Sequence, residues 1–218
     1  MSYVISASRR TDIPAFYSEW FVNRLEAGHV YVRQPYSQKL VRVSLKPEDV
    51  SAIVFWSKNY APLLGKLDVI EKTSRNLFFH FTITANNDLE LSVPILTDTI
   101  KDYIFIANRY SPGQIVWRFD PICITHRLSF EIHLERFIKC AEALKGHVHT
   151  CYISFAHPYK KVVTNLQKHT HSLLEMPAGT KREYARRLAD SAEKYGMRLF
   201  ACCNDFLLSD DRVGKASC

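Results

Sequence analysis

The sequence predicts an α/β fold, a partial (β/α)6 TIM-like barrel with parallel strands and an inserted β-hairpin near residues 29–45. Three observations predict it. Six short runs of apolar, β-branched or aromatic residues recur along the chain, and segments of helical periodicity separate most of them. Each run also ends abruptly in charged, hydroxyl or thiol side chains. In parallel sheets the ligand sits beyond the carboxyl ends of the strands, so these polar clusters predict one composite site at the mouth of the barrel.

The first run, Tyr3-Val4-Ile5, leads into Ser6-Ala7-Ser8-Arg9-Arg10-Thr11-Asp12. Asp12 is a good N-cap with Pro14 in the first turn, and Phe16, Trp20 and Phe21 form an apolar stripe before Gly28 stops the helix. Val30, Val32, Val41, Val43 and Leu45 then alternate with polar residues across a loop containing Pro35 and Ser37, which is the pattern of a hairpin. Ala52-Ile53-Val54-Phe55-Trp56 ends in Ser57-Lys58-Asn59, with a helix predicted over 61–71. Leu77-Phe78-Phe79-His80-Phe81 ends in Thr82-Ile83-Thr84, before a helix over 93–108. Ile115-Val116-Trp117 runs into Arg118-Phe119-Asp120, and a helix over 129–144 stops near Gly146. Cys151-Tyr152-Ile153 meets Ser154-Phe155-Ala156-His157, before a helix over 159–174. A helix over 180–195, stopped by Gly196, precedes Leu199-Phe200-Ala201 and its end cluster Cys202-Cys203-Asn204-Asp205.

An open doubly wound sheet is the competing architecture. Neither G-x-G-x-x-G nor G-x-x-x-x-G-K with Ser or Thr occurs, and polar residues end every strand instead of gathering at one switch point. A complete barrel takes about 250 residues, so six units suit a chain of 218. No Ser-, Gly- or Pro-rich linker divides it, which predicts one domain over residues 1–218.

With 47% apolar residues the chain can bury a substantial core. No apolar run is long enough to span a bilayer and the start lacks the features of a secretion signal, so a cytoplasmic protein is expected, with no membrane partner. Six cysteines in that setting read as thiols, metal ligands or catalytic groups. The net charge of +7 favours anionic partners.

The cluster Ser8-Arg9-Arg10-Thr11-Asp12 packs two guanidiniums against a helix N-terminus, an anion site by the chemistry of arginine forks and exposed amides. The alternative is that Asp12 only caps the helix and pairs with one arginine. Arg118 and Asp120, two apart on a strand, share a face. They hold a polar substrate or form a structural ion pair. Lys58, followed by Asn59, and Lys160 are candidate bases or Schiff-base formers, partners of a phosphate or carboxylate, or solvated cations. Ser8, Thr82, Thr84 and Ser154 complete a polar ring. Cys140 and Cys151 fit core positions, and His169-x-His171 on a helix projects to different sides. Cys202, Cys203 and Cys218 gather at the last strand end as candidate metal ligands, although adjacent residues on a strand point apart and no C-x-x-C occurs.

On Ser6-Ala7-Ser8-Arg9-Arg10-Thr11-Asp12-Ile13-Pro14-Ala15, Val54-Phe55-Trp56-Ser57-Lys58-Asn59, Phe81-Thr82-Ile83-Thr84, Trp117-Arg118-Phe119-Asp120-Pro121, and Ser154-Phe155 with Tyr159-Lys160-Lys161, the chain resembles the bacterial domain-of-unknown-function 1848 family. The resemblance implies a six-unit barrel similar to radical S-adenosylmethionine enzymes. It further implies an iron–sulfur cluster held by a cysteine-rich segment beyond Cys218, with S-adenosylmethionine on its open iron. That segment is not in this sequence.

The leading expectation is therefore a radical-S-adenosylmethionine-like barrel protein that binds a small anionic substrate, or S-adenosylmethionine, through Arg9, Arg10, Arg118 and Asp120. A non-catalytic nucleotide or nucleic-acid-binding protein is the second reading, from the basic helix bearing Lys181, Arg182, Arg186 and Arg187, but Asp190 and Glu193 interrupt that face and disfavour it. A metal-independent lyase or isomerase using Lys58 or Lys160 is the third.

Overall fold

The structure is a computed structural model that describes residues 2–209 and 211–216. Nine strands and eight α-helices are present among the described residues, and the central sheet is mostly parallel with seven strands. Its order is β1(Tyr3–Ser6), β4(Val50–Ser57), β5(Leu77–Thr82), β6(Ile115–Ile122), β7(Thr150–Phe155), β8(Arg198–Ala201), β9(Val213–Lys215). The order follows the chain without reversal, and the sheet is open. β2(His29–Arg33) and β3(Leu40–Ser44) form the inserted hairpin as a separate antiparallel ribbon, with Val30 opposite Val43 and Val32 opposite Val41. The chain divides into two compact units, residues 1–80 and 81–218.

In the first unit β1 pairs with β4 in parallel. α1(Ile13–Phe16) is capped by Asp12, whose carboxylate accepts from the Ala15 N–H at 3.0 Å. The single helix expected from Asp12 to Gly28 is two: Tyr17 leaves the helical region with φ −134°, and α2(Ser18–Glu26) starts afresh. The helix expected over 61–71 is also split, into α3(Ala61–Leu64) and α4(Leu67–Glu71), with Gly65 at the break where its backbone freedom disfavours helix. The core is aromatic. Phe21 meets Phe55 edge-on at 5.6 Å between centroids, and Phe79 packs against Phe55 at 5.8 Å and Tyr60 at 5.7 Å. Burying each such ring contributes about 1.5–3 kcal/mol.

In the second unit β6, β7, β8 and β9 pair in parallel. α5(Leu96–Arg109), α6(Phe130–Ala143) and α8(Ala178–Glu193) fall within a few residues of expectation. α7(Lys160–Lys168) is shorter than expected, because Thr170 takes φ 59° and turns the chain. His169 and His171 therefore lie beyond the helix, not on it. Trp117 stacks on Phe137 at 4.8 Å in the core, and its indole N–H donates to the Ile83 carbonyl at 2.9 Å. β9 is a seventh strand that the sequence pattern did not signal. It follows a 3-10 helix at Asp205–Ser209, and Gly214 lies opposite Phe200, where a Cβ would come within 2.6 Å of the ring.

Candidate functional site

The residues singled out in the sequence fall into two groups, one in each unit. In the first unit Ser57 Oγ donates to Asp12 Oδ2 at 2.9 Å and accepts from the Asn59 N–H at 2.9 Å. Asn59 Oδ1 in turn accepts from the Ala61 N–H at the start of α3. Asp12, as the cap of α1, and Asn59, in the turn that leads from β4 into α3, are thus committed to local structure. Lys58 is half-buried at the carboxyl end of β4.

Arg9 and Arg10 have a different role. They line a cavity of about 520 Å3 together with Arg24 and Arg33. Among the described residues no aspartate or glutamate lines it, and none of these four arginines pairs with a carboxylate. Arg10 Nη1 donates to the Arg33 carbonyl, which ties the turn after β1 to the hairpin, and Arg33 Nη1 donates within the hairpin to the Gln38 carbonyl at 3.2 Å. Trp20 and Tyr31 also line it and are 44% and 60% exposed. Ser8 Oγ and Arg24 Nε are buried without a hydrogen-bond partner. Arg24, Tyr31 and Arg33 were not singled out from the sequence, and Trp20 was read only as part of the apolar stripe of its helix. The one signal was the four-residue spacing of Trp20 and Arg24, which places them on one face of α2.

In the second unit the two-residue spacing of Arg118 and Asp120 does bring them together. The guanidinium grips the carboxylate through Nε to Oδ1 at 3.1 Å and Nη2 to Oδ2 at 2.5 Å, with side chains only 14% and 9% exposed. Burial alone would lower the Arg118 pKa, but the Asp120 charge and its hydrogen bond outweigh that and raise it. Arg118 Nη2 also reaches Cys202 Sγ at 3.4 Å, and the guanidinium lies 5.7 Å from the Tyr152 ring centroid. Arg118 is in register with Tyr152, and Tyr152 with Phe200. By strand alternation Ser154, half-buried, shares the face of Tyr152, and Cys202 continues the face of Phe200. Asn204, from the end cluster after β8, closes the end of β7 by accepting from the Phe155 N–H at 2.7 Å.

Other predicted members do not join this pair. Thr84 is buried and donates to Glu90 Oε2 at 2.9 Å. Thr82 is half-buried at the end of β5, and Lys160 is exposed at the start of α7.

The cysteines divide in the same way. Cys140 and Cys151 are fully buried, and burial pushes the Cys140 thiol up to about 12. Cys202 and Cys203 bring their sulfurs within 3.8 Å of one another, against the expectation that they point apart. The strand ends at Ala201 and Cys203 takes φ 60°, which swings its side chain back toward that of Cys202. The hydrogen bond with the Cys202 sulfur holds the Cys203 thiol above its ordinary range. Cys218 lies outside the described residues. Among the described residues no three His, Cys, Asp or Glu side chains group as a metal site. A cubane cluster is held by several cysteine thiolates, and two adjacent sulfurs beside a bidentate ion pair do not fit one.

No helix among the described residues is long and apolar enough to cross a membrane. Neither a curated protein nor a solved structure matches the chain. A family model does match, over residues 4–218, in agreement with the ordered strand-end motifs from Ser6 to Lys161. The chain belongs to the family described as a domain of unknown function (DUF1848).

Proposed function

We propose that this protein binds a small organic anion through Arg9 and Arg10, as the substrate-binding part of an α/β enzyme. The observation that carries the reading is the 520 Å3 cavity lined by four arginines and no carboxylate. Arginine forks recognise carboxylate or phosphate through paired hydrogen bonds. Trp20 and Tyr31, exposed along the same wall, suit a ligand with a flat apolar body. Of the two ligands the sequence suggests, the anion fits this cavity better. S-adenosylmethionine carries an ammonium and a sulfonium against one carboxylate, and guanidiniums repel that sum.

The barrel-like architecture and the kinship with radical enzymes belong to the same proposal. A strand order that follows the chain supports them, since a doubly wound sheet reverses at its switch point. The nucleic-acid alternative is weakened on α8, where Arg186 pairs with Glu183 and Arg187 with Glu131, each at 2.6 Å.

Calorimetric titration of the full chain with phenyl phosphate, benzoate, inorganic phosphate and S-adenosylmethionine tests the proposal. Phenyl phosphate and benzoate are expected to bind, more weakly as salt is added. S-adenosylmethionine binding more tightly than both, or no anion binding at all, would sink it.

A further inference from the structure

We infer that Cys202 and Cys203 form a thiol pair, placed by proximity and exposure, that exchanges with small-molecule disulfides and closes a reversible disulfide between adjacent residues. The inference is independent of the anion cavity. Its ground is geometric. The left-handed backbone at Cys203 holds two sulfurs 3.8 Å apart that a continuing strand would send to opposite faces. A disulfide bond is about 2.05 Å long, so closure asks the sulfurs to approach by roughly 1.8 Å. Cys203 is exposed and Cys202 is buried, which separates the sulfur that meets a reagent from the one that resolves the product. Cys140 and Cys151, fully buried, have no such access.

The steps balance. The Cys203 sulfur attacks one sulfur of a low-molecular-weight disulfide, forms a mixed disulfide and releases one thiol. The Cys202 sulfur then attacks Cys203 Sγ, forms the Cys202–Cys203 bond and releases the second thiol. The protein pair gives up two electrons and two protons, and both pass to the two released thiols, so the small disulfide is the oxidant. Arg118 Nη2, 3.4 Å from Cys202 Sγ, holds that sulfur in place beside Cys203. Consecutive Cα atoms are closer, at about 3.8 Å, than the usual separation of bridged cysteines. A bond formed there is readily reopened by thiols.

The test uses the full reduced chain exposed to oxidised glutathione, quenched with iodoacetamide and digested after Lys and Arg, which releases residues 199–212 as one peptide. That peptide is expected to lose both alkylation sites, to be two hydrogens lighter than its reduced form, and to recover both sites after dithiothreitol. Cys202→Ser is expected to stop at a lasting glutathione adduct on Cys203. Full alkylation of both cysteines after exposure, a lasting adduct in the unsubstituted chain, or a link from either cysteine to a third would each overturn the inference.

Discussion

Arg118 and the arginines beside β1 meet opposite neighbours. Arg118 lies in a parallel sheet with one bidentate edge, Nε and Nη2, on Asp120, and its charge is cancelled where it is buried. Arg9, Arg10, Arg24 and Arg33 line a cavity with no carboxylate among its described lining residues, and no counter-charge on that wall cancels theirs. A guanidinium at a strand end is thus not evidence of a ligand site until its counter-charge is located. The buried pair is expected to matter for folding and the uncompensated group for binding.

The largest effect that would break this contrast is on stability. Asp120→Ala leaves the Arg118 charge buried without its carboxylate, a loss expected to cost about 3–5 kcal/mol. Urea unfolding measures it, and a change under about 1 kcal/mol, the scale of an exposed pair, would place Arg118 with the surface arginines. Next is the cavity. Arg9→Ala combined with Arg10→Ala is expected to weaken phenyl phosphate binding by about tenfold or more, since one hydrogen bond to a charged group contributes about 1.5–3 kcal/mol. Both residues are exposed, so the unfolding midpoint should stay nearly fixed. A drop in stability without a loss of affinity would reverse the roles of the two regions.

The sequence made some of this legible. The Arg118–Asp120 pair follows from strand alternation alone, and the hairpin follows from alternating valines, because both depend on spacing of two. The cavity was only half legible. Arg9 and Arg10 stand together in the chain, whereas Arg24 and Arg33 come from α2 and β2, and only tertiary packing brings them to the same wall. The approach of Cys202 to Cys203 was hidden for another reason. It depends on one backbone angle, φ 60° at a residue with no glycine-like signature. β9 escaped because three residues containing a glycine give no periodicity, and the strand is formed by its pairing with β8, where a side chain at Gly214 would meet the Phe200 ring.

A smaller effect separates Asp12 from its arginine neighbours. If Asp12 is a cap and not a partner of the anion site, Asp12→Ala should cost about 1 kcal/mol of stability through the lost Ala15 bond. Anion affinity should hold or rise slightly, because one negative charge beside Arg10 is gone. A clear fall in affinity would make Asp12 part of the binding wall.

The mildest test asks whether the second unit keeps its buried groups neutral. His133 is fully buried, its Nε2 bonded to the Cys123 carbonyl at 2.9 Å, and Nδ1 has no partner. Burial lowers its pKa below the ordinary value of 6.5. As pH falls through 6.5 the unfolded chain takes up a proton that the folded chain refuses, so stability falls with pH from there down to the folded pKa. The slope from one such group cannot exceed about 1.4 kcal/mol per pH unit. Comparing urea unfolding between pH 7.5 and 5.5 for the native chain and His133→Gln isolates it. Equal slopes in the two chains would show that His133 protonates as readily inside the fold as outside it. Burial in the second unit would then fail to enforce the neutrality that Arg118 reaches through Asp120.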